Sequence, residues 1–180
     1  VSIGAEESGT ERNATQILEF AGMPSSLVAT KNLDYIEATK ELKAGDIDAF
    51  FCTAGLTTTV IDELSKECDI RLIPLTDTVI SKMLESSLAY TSEVIPAGTY
   101  TGQTTDISTI GVKSVLITKA DVSDDTIEQL TSLLFEKENE ISYSNSLKLE
   151  LTYDFATDDI PIPFHDGAKR YYKACGYSTN

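Results

Sequence analysis

The first 22 residues, VSIGAEESGTERNATQILEFAG, place a short apolar run, a polar loop and an amphipathic stretch in immediate succession. The run Val1–Gly4 predicts a strand, and the apolar residues of 8–21 recur at helical spacing, which predicts a helix. Gly22 is placed to end that helix. Because Val1 lies in a predicted strand, with no initiator methionine or signal peptide before it, we expect the chain to begin inside a longer gene product.

The alternation of strand and helix continues to about residue 90. Short apolar runs predict strands at Ile47–Cys52 and Ile70–Ile73. Between and around them, helical spacing predicts helices through residues 35–44, 60–68 and 79–84. Alternating strands and helices indicate parallel βα units with right-handed crossovers. We therefore predict an α/β fold with a mostly parallel sheet flanked by helices.

The pattern changes after Tyr90, which suggests a second part of the chain. We assign residues 1–112 to one ligand-binding lobe and residues 113–180 to a return segment with a C-terminal helix, packed on the same lobe or on a lobe outside this sequence. Within 90–180 we expect a polar loop (Pro96–Gln103), a strand (Val112–Ile117), a helix capped by Ser123, an ambiguous stretch (Asn139–Tyr153), an extended segment at Pro161 and Pro163, and a last helix ended by Gly176.

The charge of the chain excludes several classes of partner. The 180 residues carry 29 acidic and 14 basic side chains, a formal net charge of -15. Such a surface repels phosphate backbones and anionic membranes, so we expect no nucleic-acid binding. No apolar run approaches the roughly 20 residues that span a bilayer, so we expect no membrane insertion of this segment. An odd number of cysteines without C-x-x-C spacing predicts free, mostly buried thiols and no zinc site.

The strongest local signal for binding is the segment Gly4–Glu11, GAEESGTE. A strand ends, a loop follows, and Ser8 with Glu11 matches a capping box at the start of a helix. Unpaired N–H groups there, with Gly9 allowing close approach and the hydroxyls of Ser8 and Thr10 nearby, favour a carboxylate or phosphate. A plain helix cap explains the same residues equally well. The acidic residues 6 and 7 argue against a strongly anionic ligand and suit a zwitterion.

Two further loops are candidate parts of the same site. Thr53 and Gly55 follow the Phe-rich strand, at the carboxyl end of a parallel strand where ligands bind in open α/β sheets. Tyr100 and Gln103 lie in a loop rich in hydroxyl and amide groups. Ordinary turns remain the alternative for both loops.

The single histidine, His165, raises the alternative of a serine hydrolase. That hypothesis pairs Ser8 with His165 and an acid, but Ser8 lies in no Gly-x-Ser-x-Gly turn. The simpler interpretation is that His165 caps the last helix. One histidine without clustered carboxylates predicts no metal site, and no motif indicates a cofactor.

Four segments in order resemble the TAXI family, the solute receptors of one class of TRAP transporters. GAEESGT (4–10) is similar to its Ser-Gly-Thr loop, and GDIDAFF (45–51) to its Asp-Ala-Phe strand. IPAGTYTGQ (95–103) is similar to its Tyr-x-Gly-Gln loop, and PFHDGAKRYYKACG (163–176) to its closing helix, although Phe164 and Asp166 depart from that pattern. The four segments are spread in order over nearly the whole chain, from residue 4 to residue 176.

The resemblance implies a type II periplasmic-binding-protein fold and an extracytoplasmic receptor, without catalysis. It implies that the receptor holds a small carboxylate or amino-acid-like solute, such as glutamate, and delivers it to a TRAP membrane permease. The family's opening lobe is absent from this sequence. A third hypothesis is an intracellular effector-sensing module of the same fold, which would carry a DNA-reading domain elsewhere in its gene.

Overall fold

A computed structural model describes residues 1–136 and 151–179. Within them the chain forms two compact units, Val1–Gly111 and Val112–Asn180. Helices and short strand segments build the first, and helices build the second. Helices with limited strand pairing agree with the predicted α/β class.

Ser2 joins three segments of the first unit that are distant in sequence, and it is only 1% exposed. Ser2 forms parallel bridges with both Lys31 and Phe50. Its N–H donates to Ala49 O at 2.9 Å, and its carbonyl accepts from Phe51 N at 2.9 Å. The parallel relation between the first segment and the Phe-rich run is therefore confirmed. Neither Val1–Gly4 nor Ile47–Cys52 forms the predicted strand, because the pairing is limited to isolated bridges at Ser2 and Phe50.

Four helices surround these segments: α1 (Gly9–Phe20), α2 (Tyr35–Ala44), α3 (Thr59–Glu67) and α4 (Asp77–Ser86). All four were predicted from apolar spacing, and their ends follow local signals. Ser8 caps α1, and Gly45 ends α2 in the left-handed conformation. Ile17 of α1 packs with Val79 and Met83 of α4 in a small apolar core.

Two further predictions of strands are wrong. Ile70–Ile73 forms no strand, and Ile73 is 72% exposed. Two residues further along, Leu75 N donates a hydrogen bond to Ser108 O at 2.9 Å. Val112–Ile117 also forms no strand beyond Val112, and Ile117 is 74% exposed. Both segments are rich in side chains that favour strands. The backbone N–H and C=O groups of a strand also need hydrogen-bond partners on a neighbouring strand.

The strands of the first unit lie elsewhere, at β1 (Tyr90–Ile95) and β2 (Ile107–Val112), which pair as a two-stranded sheet. β1 was not predicted, because its sequence YTSEVI shows no clear apolar period. The polar loop predicted at Pro96–Gln103 is confirmed and connects the two strands.

The second unit contains α5 (Asp124–Glu136), α6 (Tyr153–Thr157) and α7 (Asp166–Ala174). Ser123 caps α5 as predicted, because its Oγ accepts from Thr126 N at 3.2 Å. The predicted last helix is confirmed and ends before Gly176, while most of the ambiguous stretch Asn139–Tyr153 lies outside the described residues.

The helices α5 and α7 pack closely at Gly167. A Cβ atom added at Gly167 would lie 2.2 Å from the carbonyl oxygen of Asp124. Beside this contact is a cluster of aromatic rings, in which Phe135 stacks on Tyr153 with ring centres 4.4 Å apart. Tyr171, Tyr172, Tyr177 and Phe164 also belong to the cluster.

Candidate functional site

The start of α1 is shaped by the approach of Gly4 to the helix. Gly4 has φ +98°, and a Cβ there would lie 2.7 Å from Thr10 Cβ and 3.1 Å from Ser8 Oγ. Gly4 therefore lets the end of the first segment touch the first turn of the helix. Its carbonyl accepts from Asn32 Nδ2 at 3.1 Å, which fixes the loop from the other side.

Ser8 caps α1 as predicted. The second hydrogen bond of a capping box, from Ser8 N to the Glu11 side chain, is replaced by another. Ser8 Oγ accepts from Glu11 N at 3.1 Å, as predicted. The Glu11 carboxylate accepts from Glu7 N at 2.6 Å rather than from Ser8, and also from Asn32 Nδ2 at 2.8 Å. The negatively charged Glu11 carboxylate beside the helix start is therefore hydrogen-bonded to Glu7 and Asn32.

Two N–H groups at the start of α1 have no acceptor among the described residues: those of Gly9 and Thr10. Gly9 is exposed, and a Cβ added there would meet nothing within 4 Å. The sequence predicted that a ligand can approach Gly9 closely, and the space next to this residue is open. The start of a helix carries partial positive charge. A carboxylate is suited to such a position.

Tyr35, the first residue of α2, connects the Ser8 loop to the Thr53 loop. Its hydroxyl lies 2.8 Å from Thr10 Oγ1, donates to Thr53 O at 2.9 Å and accepts from Thr53 N at 3.0 Å. Asn13 of α1 adds a second connection, since its Nδ2 donates to Thr53 Oγ1 at 3.2 Å. Two of the three predicted loops therefore form one continuous polar cluster, defined here as Thr10, Asn13, Tyr35 and Thr53.

The third loop joins the same region through Tyr100. The Tyr100 hydroxyl accepts from Thr58 N at 3.3 Å, just past the exposed Gly55. Its ring is only 7% exposed. Gln103 closes its own loop: its Nε2 lies within 3.1 Å of three carbonyl oxygens, and its Oε1 accepts from Tyr100 N at 3.3 Å. Both side chains thus have contacts that shape the loop.

The predicted side chains differ in what they can offer a ligand. The Thr10 side chain is buried, at 6% exposed, and its hydroxyl lies against Tyr35. Its backbone N–H is the group left unpaired. Thr53 is exposed, and its hydroxyl accepts one hydrogen bond while keeping its own proton.

A groove of about 640 Å³ runs along the outer face of α1 from Gly9. Tyr90 lies in it, with its hydroxyl 2.9 Å from Asn13 Oδ1 and 2.8 Å from Gln16 Oε1. A phenol has one proton, so only one of these oxygens can receive it and the other amide presents its NH₂ group. The groove is open to solvent, and the exposed Gly9 lies at one end of it.

Burial favours the neutral form of two groups near the cluster, Cys52 and Tyr100. Burial raises the pKa of the Cys52 thiol, and the neighbouring Tyr35 hydroxyl lowers it by a smaller amount. Burial also raises the pKa of Tyr100. All three cysteines are free as predicted, but each is half-buried rather than mostly buried.

Ser8 and His165, the residues of the hydrolase hypothesis, both cap helices. His165 Nδ1 accepts from Gly167 N at 3.1 Å at the start of α7, and Asp124 Oδ1 lies 3.8 Å away. The predicted cap is confirmed for both residues. Across residues 1–136 and 151–179, no group of three or more His, Cys, Asp or Glu side chains is arranged to hold a metal ion.

Sequence reasoning missed Tyr35 and Asn13 as site residues. Both residues lie in predicted helices, at 35–44 and 8–21, and nothing in either pattern indicates a binding role. The local signal for Tyr35 was its position directly after the helix cap Asp34, which places its side chain at a helix start beside a loop. Its partners Thr10 and Thr53 are 25 and 18 residues away, so nothing local indicated them.

The sequence matches the NMT1-like family over residues 1–176, nearly the full chain. The family is periplasmic-binding-protein-like and related to solute-binding proteins. Within the described part of the chain, every helix is too short or too polar to cross a bilayer. The chain therefore belongs to the NMT1-like family of binding proteins.

Proposed function

We propose that this protein is the extracytoplasmic solute receptor of a TRAP-type transporter of the TAXI class, and that it binds a small carboxylate or amino-acid-like solute. Its partner would be a TRAP membrane permease. Residues 1–112 would form the second ligand-binding lobe, and residues 113–180 the return segment. Membership of a binding-protein family and the four ordered motifs support this assignment.

One observation carries the proposal: loops that are distant in sequence are joined around exposed hydrogen-bond donors. The Ser8 and Thr53 loops meet through Tyr35, and the Thr53 and Tyr100 loops meet through Thr58. Binding sites consist of a few precisely placed polar groups of this kind.

The residues would have different roles in holding the solute. The N–H groups of Gly9 and Thr10, with the hydroxyls of Ser8 and Thr53, would bind its carboxylate. Gly55 would allow close approach, while Tyr100 and Gln103 would shape the far wall. The exposed carboxylates of Glu6 and Glu7 would suit the ammonium group of an amino acid.

Calorimetric titration of the full-length protein tests the proposal with glutamate, alanine, succinate and lactate. Gly9→Leu places a side chain in the open space in front of the α1 N–H groups, so we expect it to abolish detectable binding of any acid that the wild type binds. The helix should stay intact, because leucine is a better helix former than glycine.

Ala21→Leu is the matched control. It adds the same side chain without a charge change at the other end of α1, where Ala21 is exposed. We expect this variant to bind as the wild type does. Equal affinity of Gly9→Leu and Ala21→Leu would show that the solute does not use the start of α1.

A further inference from the structure

His165 caps the start of α7 with a ring nitrogen. Its Nδ1 accepts from Gly167 N at 3.1 Å, so this nitrogen holds a lone pair and no proton. A neutral imidazole then carries its single N–H proton on Nε2. His165 Nε2 is buried and finds no hydrogen-bond partner in the described part of the chain. The imidazole therefore caps the helix only in its neutral form, and only in one tautomer.

Asp124, the first residue of α5, lies beside the same nitrogen. Its Oδ1 is 3.8 Å from His165 Nδ1, just beyond hydrogen-bond distance. The backbone of Asp124 is close-packed against α7, because a Cβ added at Gly167 would clash with the Asp124 carbonyl oxygen. The Asp124 side chain is 48% exposed and has room to turn, whereas that of His165 is 10% exposed. The start of α5 thus places a negatively charged acceptor next to the cap of α7.

The other charged side chains at this junction are paired among themselves. Asp166, which follows His165 in the chain, pairs with Lys169 at 3.3 Å. Arg170 contacts three acidic side chains of α5, at 2.9, 3.5 and 3.8 Å respectively: Asp125, Glu128 and Asp124. Asp124 has the longest of these contacts with Arg170, so it is the carboxylate that turns toward His165 with the smallest loss.

We propose that His165 is a pH switch, in which protonation transfers its Nδ1 from the Gly167 N–H to the Asp124 carboxylate. Imidazoles ordinarily titrate between about pH 5 and 8. Once Nδ1 gains a proton it is a donor, so it no longer accepts from Gly167 N, and the acceptor within reach is Asp124 Oδ1. A helix cap is exchanged for a charged hydrogen bond between α5 and α7. Acid therefore loosens the first turn of α7 without separating it from α5, whatever the first unit binds.

Nitrogen-15 NMR of the protein tests the starting state of the switch. The sequence contains one histidine, so both imidazole nitrogen signals belong to His165. At about pH 8, at the upper end of the ordinary range of imidazole titration, the spectrum should show an unprotonated Nδ1 and a protonated Nε2. A proton on Nδ1 under these conditions would overturn the cap geometry on which the switch depends.

Acidification to about pH 5 should then remove the protection of one backbone amide. We expect the hydrogen exchange of Gly167 N, corrected for its intrinsic rate, to become about tenfold faster, which is the effect of losing one net hydrogen bond. This change should follow the protonation of His165 that nitrogen-15 NMR detects. Constant protection of Gly167 while the imidazole gains its second proton would overturn the switch.

His165→Asn is the matched variant, because asparagine caps a helix by accepting from the same kind of backbone N–H and does not titrate. We expect its Gly167 amide to have the protection of the wild type at about pH 8 and to keep it at about pH 5. His165→Ala removes the cap, so its Gly167 amide should exchange fast under both conditions. An acid-induced loss in His165→Asn equal to that of the wild type would overturn the role of His165.

Carbon-13 NMR of the side-chain carboxyl groups identifies the new partner in the wild type itself, so this measurement stands even where a variant fails to fold. The Asp124 carboxyl signal should shift in step with the protonation of His165, because its Oδ1 receives the new hydrogen bond. Asp125 is the control, since it follows Asp124 in α5 and pairs with Arg170 at 2.9 Å. A shift at Asp125 as large as that at Asp124, or no shift at Asp124, would overturn the transfer to Asp124.

Discussion

The contacts inside the first unit differ in kind from those inside the second. In residues 1–111, the loops at the site are joined by side-chain hydrogen bonds around Tyr35, above a small core of Ile17, Val79 and Met83. In residues 112–179, two helices pack backbone against backbone at Gly167, beside a cluster of aromatic rings. In the first arrangement polar side chains join loops that are distant in sequence, and in the second aromatic rings stack on one another.

This difference explains why we assign ligand binding to the first unit. Hydrogen bonds between loops orient donors and leave some of them free, which is what a site for a polar solute needs. Aromatic rings in mutual contact gain from their burial and have few groups to offer a ligand. The following predictions challenge the contrast, beginning with the largest effect.

Gly167→Ala should destabilise the second unit by about 3 kcal/mol, because the added methyl group meets the Asp124 carbonyl and helix α7 must shift. Urea unfolding with site-resolved hydrogen exchange measures the loss. Gly9→Ala is the control, since space is open there. A loss confined to residues 1–111 would show that the helix contact is not what holds the second unit.

Gly4→Ala should destabilise the first unit by about 2 kcal/mol, because a positive φ is strained for alanine and the methyl group meets Thr10. Gly98→Ala has a similar φ of +81° but open space, so it reports the strain alone and should cost about 1 kcal/mol. Equal losses in the two variants would mean that the contact of Gly4 with α1 contributes nothing.

Alkaline pH should weaken the second unit through Tyr171. Burial raises the pKa of Tyr171 above its ordinary value of 10.0, and its hydrogen bond with Tyr153 adds to the rise. The folded protein therefore holds the neutral phenol more tightly than the unfolded chain does. This stabilisation is complete below about pH 10 and is lost as the pH rises further.

Urea unfolding at about pH 8 and about pH 10.5 brackets the point at which the unfolded tyrosine ionises. Tyr171→Phe should show a smaller loss of stability between these conditions than the wild type. Tyr177→Phe removes another hydroxyl of the same aromatic cluster and serves as the control. A wild-type loss that Tyr171→Phe leaves unchanged would assign the effect to other groups.

Every described helix except α6 could be predicted from the sequence, and the strands largely could not. The spacing of apolar residues and caps such as Ser8 and Ser123 lie within a few residues of the helix they define. A strand depends on a partner that is distant in sequence. Ile70–Ile73 therefore has strand-like side chains without a ladder, while β1 pairs despite its polar sequence.

The candidate site shows the same division. The sequence indicated the start of α1, because Gly4, Ser8 and Gly9 are locally typical of a helix start that a ligand can approach. It could not indicate that Tyr35 occupies the Thr53 backbone, since those groups meet only after the chain folds.

By itself, the sequence determined six of the described helices, the caps Ser8, Ser123 and His165, and the strongly acidic composition, because each depends on neighbouring residues or on residue counts. Only the tertiary structure decided which segments pair around Ser2, which side chains join the three loops, and which donors remain unpaired at the site. The reason is physical: a hydrogen bond needs two groups within about 3 Å, and only folding brings distant residues that close.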